Sequence, residues 1–159
     1  DILYVAQAWK KSRVTPTTVW GAIKQWAASV PTAWPHDGLQ TEKGSGDQQK
    51  KAYVDAGWSM MSEHATWQAG GNGVEIGLVE LYERMTTGRL KVFSHLTDWF
   101  EEKLNYHRDE NGNIVKVNDD LLAATRYAYM MRRYAKQRKD ISAGAVVAHI
   151  PRPIRPMGR

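Results

Sequence analysis

Short, apolar, β-rich runs alternate with longer amphipathic stretches along this chain, and that alternation restricts its fold more than any other feature. Ile2 to Trp9 reads as a strand, apolar enough for burial on both faces. Thr15-Pro16 starts a helix, with Thr as cap and Pro preset for the first turn, and the helix runs to about Ser29 with Val19, Ile23 and Trp26 on one face. Val30 to Trp34 reads as a brief strand bounded by Pro31 and Pro35. After a Gly-rich loop, Lys43-Gly44-Ser45-Gly46, a helix starts near Asp47 and closes near Gly57, and Trp58 to Met61 is a further short strand. Gly70 to Gly73 is a loop. Val74 to Met85 is an amphipathic helix with Ile76, Val79, Leu81 and Tyr82 apolar; it ends at Gly88, and Leu90 to Phe93 is a strand. Ser94 caps a helix through Leu104, with Leu96, Trp99 and Phe100 buried. Tyr106 to Val117 reads as a hairpin around Asn111-Gly112, a pair suited to a type I′ turn. Asn118-Asp119-Asp120 opens a long helix to about Arg138. Strands alternating with helices imply an α/β sheet with helices on both faces.

Charge divides the chain in two. From Arg132 onward there are eight Lys/Arg against one acid, Asp140, while the preceding 131 residues carry fourteen basic and sixteen acidic side chains. Residues 1–140 read as one domain and 141–159, with Pro151, Pro153 and Pro156, as a basic tail. Such a segment suits a polyanionic partner, and equally a solvated helix end. No apolar run approaches the ~18–20 residues that span a membrane. Cysteine is absent, which excludes disulfides, a thiol nucleophile and thiolate-bound zinc.

Two places carry carboxylates where chemistry could use them. Asp37 follows the strand ending at Trp34 and precedes Gly38, which would let the backbone turn sharply; the edge of an open α/β sheet is where sites form. By itself the pair Asp37-Gly38 is equally a turn. Asp119 and Asp120 lie at a helix start, where the dipole alone favours acids. Together, carboxylates from a strand end and a helix start can converge on divalent cations, for which hard oxygen ligands suit Mg²⁺ or Mn²⁺. His36 is a candidate ligand or base, and Lys43 a candidate phosphate contact. No Walker A pattern occurs, so no ATP site is expected, and there is neither a G-x-S-x-G nor an H-E-x-x-H pattern. The seven Trp fall mostly at apolar positions and read as core.

Trp34-Pro35-His36-Asp37-Gly38, Lys43-Gly44-Ser45-Gly46 and Asn118-Asp119-Asp120-Leu121-Leu122-Ala123-Ala124-Thr125-Arg126-Tyr127-Ala128 occur in one order that resembles the C-terminal nuclease domain of tailed-phage terminase large subunits, in particular the headful-packaging podophage type. The likeness extends over most of Ile2 to Arg138. It implies an RNase H-like α/β fold, a mixed sheet flanked by helices, with acidic ligands for two Mg²⁺ or Mn²⁺ ions. Asp37 would be the family's second acid. Asp120, or Asp119 in the tandem pair, would be its third. The first acid belongs to a strand upstream of the one matching Ile2 to Trp9, so the resemblance implies a domain lacking its first strands. A chain so shortened is expected to bind metal poorly and to cleave slowly or not at all.

The resemblance further implies an endonuclease that cuts concatemeric double-stranded DNA in the cytoplasm of an infected bacterium. Its partners would be DNA, the portal protein, the small terminase subunit and an N-terminal ATPase domain of the same polypeptide, with no membrane. The hairpin would border the cleft. Arg132, Arg133, Lys136, Arg138 and Lys139 are candidates for contact with the DNA backbone, and equally a basic helix end favoured by the dipole. Two other readings fit the same residues: a docking domain that binds DNA or protein without catalysis, and another RNase H-like nuclease such as a resolvase.

Overall fold

The computed structural model describes residues 1–41 and 48–135. The first strand, β1 (Leu3–Val5), pairs in parallel with β2 (Leu90–Val92), Leu3 opposite Leu90 and Val5 opposite Val92. Three helices lie between the paired strands in sequence: α1 (Pro16–Ala27), α2 (Gln49–Asp55) and α3 (Val74–Thr86). Two more follow, α4 (Thr97–Asn105) and α5 (Asp120–Met130).

The local signals act largely as expected at the start of α1, where the Thr15 hydroxyl accepts the Thr18 N–H at 3.2 Å and Pro16 takes the first turn. Elsewhere tertiary packing overrides them. β1 is three residues long, and only alternate side chains turn inward: Leu3 and Val5 pack on the core while Tyr4 is 55% exposed, so burial on both faces does not hold. Val30 to Trp34 and Trp58 to Met61 do not form strands. They meet in a single parallel bridge, Thr32 with Met60, fixed by hydrogen bonds from Thr32 N–H to the Ser59 carbonyl and from Met61 N–H to the Thr32 carbonyl. Two prolines close together leave that segment too few N–H donors for a ladder.

Helix α3 buries Gly77, Leu81 and Arg84, whereas Ile76, Val79 and Tyr82 of the expected apolar set are exposed. Helix α4 starts at Thr97 rather than Ser94. Leu96 and Trp99 are buried as expected, but Phe100 turns outward and Glu102 takes the inner position. Helix α5 stops at Met130; a 3₁₀ turn, Arg132–Tyr134, follows, so the helix does not reach Arg138. The Asn111-Gly112 turn is not type I′. Gly112 N–H bonds the Asp109 carbonyl, and Gly112 but not Asn111 has positive φ. Asp109 decides this, because its carboxylate accepts the N–H groups of Asn111 and Asn113 at 2.9 and 2.8 Å.

The core has three connected parts. Met130 and Met131 pack on Ala65; Tyr129 packs on Leu81 and Leu90; Leu121 packs on Leu96 and Trp99. Each part draws on α5 or the residue just beyond it, so α5 is the helix around which the others assemble. The buried Trp99 indole donates to Thr125 Oγ1 at 2.9 Å, and Trp34 donates to the Met61 carbonyl at 2.8 Å. Both burials are thereby freed of an unpaired N–H.

Candidate active site

A cavity of about 770 Å³ opens beside α5, and Asp37, from the 3₁₀ turn His36–Leu39, lines it together with Asp119, the residue before α5. Two carboxylates far apart in sequence thus share one space. The turn that carries Asp37 is set by Gly38 in a way the sequence did not suggest. Its φ is not positive; a Cβ there would lie 2.7 Å from the Trp34 ring, so glycine serves close approach and not a left-handed turn. Asn118 presents Asp119. It adopts φ of +51°, a conformation that asparagine tolerates better than most residues.

Asp120 behaves differently from its neighbour. It is exposed and does not line the cavity, and its charge acts on Lys10 instead. Lys10 donates to Glu102 Oε1 at 2.7 Å. That bond, opposed by burial and reinforced by the charges of Glu102, Asp98 and Asp120, raises the lysine above its ordinary pKa. Glu102, almost wholly buried, accepts the N–H groups of Leu121 and Leu122 with its other oxygen, at 2.7 and 3.1 Å. Asp119 occupies the capping position of α5 but makes no capping bond; Glu102 does that from α4, and the Asp119 side chain is left for the cavity.

The other walls are mixed. His36, Lys103, Lys116 and Arg126 bring nitrogen, and Leu78, Leu81 and Trp99 bring apolar surface. Tyr106 also faces this space. Burial pushes its phenol above the usual value, the negative charge of Asp119 adds to that, and Arg126 acts against it. Tyr106 and Lys116 are the two ends of the hairpin, which is tied to the start of α3 by the pair of hydrogen bonds from Arg108 to Glu75, at 2.6 and 3.0 Å.

Of the expected DNA contacts, Arg132 stacks on Tyr129 and donates to its carbonyl, and Arg133 donates to Thr66 and to the Met130 carbonyl. Both guanidinium groups are partly spent inside the domain. Lys43, Lys136, Arg138 and Lys139 lie outside the described residues. Sequence reasoning passed over Glu102, Lys103, Lys116 and Arg126. The one available signal was a charged residue, Arg126, on the same helix as the apolar Leu121, Leu122 and Met130.

Asp37 and Asp119 are donors of the right kind for Mg²⁺ or Mn²⁺. They are short in number: among the described residues no three His, Asp or Glu side chains come together closely enough to hold a metal ion.

Helices against a parallel strand pair, with an acid-lined cavity at the head of α5, fit an RNase H-like domain. The chain belongs to the terminase RNaseH-like domain family, whose model matches residues 1–132. It is 55% identical over 159 residues to the terminase large subunit of Salmonella phage P22, covering all of this chain and 32% of that protein. It is 58% identical over 132 residues to the terminase large subunit of Enterobacteria phage LP7, covering 83% of this chain and 28% of that one. A solved structure of the P22 large terminase nuclease domain superimposes with a TM-score of 0.80 at 57% identity, over 86% of this chain and 70% of the other. The chain spans about a third of the length of the curated relatives it matches. Among the described residues no helix is long and apolar enough to cross a membrane.

Proposed function

We propose that this domain is the divalent-metal-dependent endonuclease of a phage DNA-packaging terminase, cutting concatemeric double-stranded DNA in the host cytoplasm. The observation that carries the reading is the shared cavity of Asp37 and Asp119. These two side chains would hold Mg²⁺ or Mn²⁺. The chemistry supplied by such bound ions is activation of water and neutralisation of charge on the phosphorus centre. Asp37 and Asp119 line one cavity, and the hairpin ends Tyr106 and Lys116 line it with them. Contacts to phosphate oxygens position a duplex without reading its sequence, so cleavage is expected with little base preference. The portal protein, the small terminase subunit and an ATPase domain on the same polypeptide are the partners this reading entails.

The test is a thermal melt with and without Mn²⁺, paired with plasmid nicking. A ligand that binds only the folded state must raise the melting temperature. The rise should be small in the wild-type chain, in keeping with a site short of ligands among the described residues, and absent in Asp37→Ala and Asp119→Ala, and any nicking should vanish in both. A melting temperature indifferent to Mn²⁺, or nicking that survives both substitutions, overturns the proposal.

A further inference from the structure

The cavity contains a buried cation that the pair of carboxylates does not account for. Arg126 lines the same space as Asp37 and Asp119 and is only 7% exposed. Its stem lies against α3 at Gly77, where a Cβ would stand 2.6 Å from Arg126 Cδ and 2.8 Å from Cγ. Glycine inside a helix costs up to about 1 kcal/mol relative to alanine, so α3 is locally weakened at the place where the arginine passes. The guanidinium sits over the Tyr127 ring, 4.6 Å from its centre, and Nη1 makes a weak contact to Met130 Sδ at 3.7 Å.

Among the described residues no carboxylate lies within ion-pairing distance of that guanidinium. Arg84, equally buried, differs: Asp1 meets it at 3.1 Å. An arginine does not discharge itself by losing a proton, and a buried charge without a counter-ion is costly. No nitrogen of Arg126 is sealed off without a partner, and the residue lines the cavity. Lys103 and Lys116 line the same space, and each is exposed and lacks a carboxylate partner among the described residues.

We propose that Arg126, Lys103 and Lys116 form an oxyanion subsite that takes one phosphodiester of a nucleic-acid strand and sets it beside Asp37 and Asp119. The fork of the guanidinium matches two non-bridging oxygens, and the lysines add point charges. The assignment to a strand rests on the nuclease reading.

The experiment is fluorescence anisotropy of a short duplex with the 159-residue chain in EDTA, over a salt series. Removing one phosphate contact should lower the magnitude of the log-affinity against log-salt slope by about one. Arg126→Gln should weaken binding about tenfold, the loss of one charged hydrogen bond, on duplexes of any sequence. Arg126→Lys should keep the slope and lose affinity. Should Arg126→Gln fail to fold, the exposed variants Lys103→Gln and Lys116→Gln carry the test, each lowering affinity and slope. Unchanged affinity and slope in the folded variants overturn the subsite, even where Mn²⁺ stabilisation still depends on Asp37 and Asp119. Dependence on Arg126 without any effect of Mn²⁺ sustains the subsite and removes the metal-dependent reading. Inorganic phosphate should displace the duplex better than chloride at equal ionic strength from the wild-type chain and lose that advantage in Arg126→Gln; an equal advantage in both would overturn the subsite.

Discussion

Glu102 on α4 accepts the backbone N–H of Leu121 at the first turn of α5 at 2.7 Å. The same side chain bonds Lys10, which follows β1 in sequence, so three distant stretches are fixed by one buried carboxylate. The head of α5, where Asp119 stands, is therefore held from α4.

Glu102→Ala leaves two helix N–H groups and Lys10 without their acceptor. Hydrogen bonds to a charged group contribute about 1.5–3 kcal/mol each, and the losses overlap, so the expected destabilisation is about 3 kcal/mol. Glu102→Gln keeps one acceptor oxygen and should lose about half of that. Urea unfolding measures both; a Glu102→Gln variant as stable as the wild type would mean that the charge on Glu102 is not what matters.

Gly77→Ala sets two effects against each other. Alanine is the better helix former by about 1 kcal/mol, while overpacking a filled site costs about 1–3 kcal/mol. The new Cβ would meet Arg126 Cδ at 2.6 Å and the Trp67 ring at 2.9 Å, so the net effect is destabilising, and duplex affinity falls with it. A thermal melt gives the sign. A more stable Gly77→Ala would show that Arg126 can leave α3 at little cost.

Asp119 and Asp120 are adjacent, yet they face different neighbours. Asp119→Asn should remove most of the Mn²⁺-dependent rise in melting temperature, and Asp120→Asn should leave it nearly intact. The reverse pattern would mean that the cavity-facing acid is not the ligand.

The hairpin should loosen in acid. Arg108 holds Glu75, and the Asn113 and Asn111 N–H groups hold Asp109, below the usual carboxylate range. Groups with depressed folded pKa values lend their tether above the unfolded value and lose it as pH falls through the lower, folded one. Amide hydrogen exchange at Asn111 and Asn113 should therefore stay protected at neutral pH and lose protection below the ordinary carboxylate range, and salt should weaken only the Arg108–Glu75 tie. Protection that ignores pH would remove both carboxylates from the account.

The sequence made some of this legible for physical reasons. Thr15-Pro16 acts through the backbone next to it, so its reading survives folding, and the acids around Asn118 mark a helix start for the same reason. The alternation of strand and helix gave an α/β class, and the resemblance gave the RNase H-like fold that the family match bears out. Val30 to Trp34 misled because β-propensity describes a surface to pack on, and among the described residues only Met60 pairs with it. Glu102 and Arg126 were illegible for a related reason. Each is charged on a helix, which reads as solvent-facing until the facing helices are known. Asp37 was visible as a candidate from its place after a strand, and only the resemblance set it above a turn residue, since Asp-Gly marks a turn in any protein.

The register of β1 on β2 has a consequence for how the domain is made. Leu3 can meet Leu90 only after the chain between them, with all of α1, α2 and α3, has looped back. Closing so long a loop costs entropy before the contact returns anything, and three residue pairs return little. Contacts between neighbours in sequence, α4 with α5 above all, form without that delay. The head of α5 would then be assembled first on the path to the native state, with the strand pair joining it as the slow, final step.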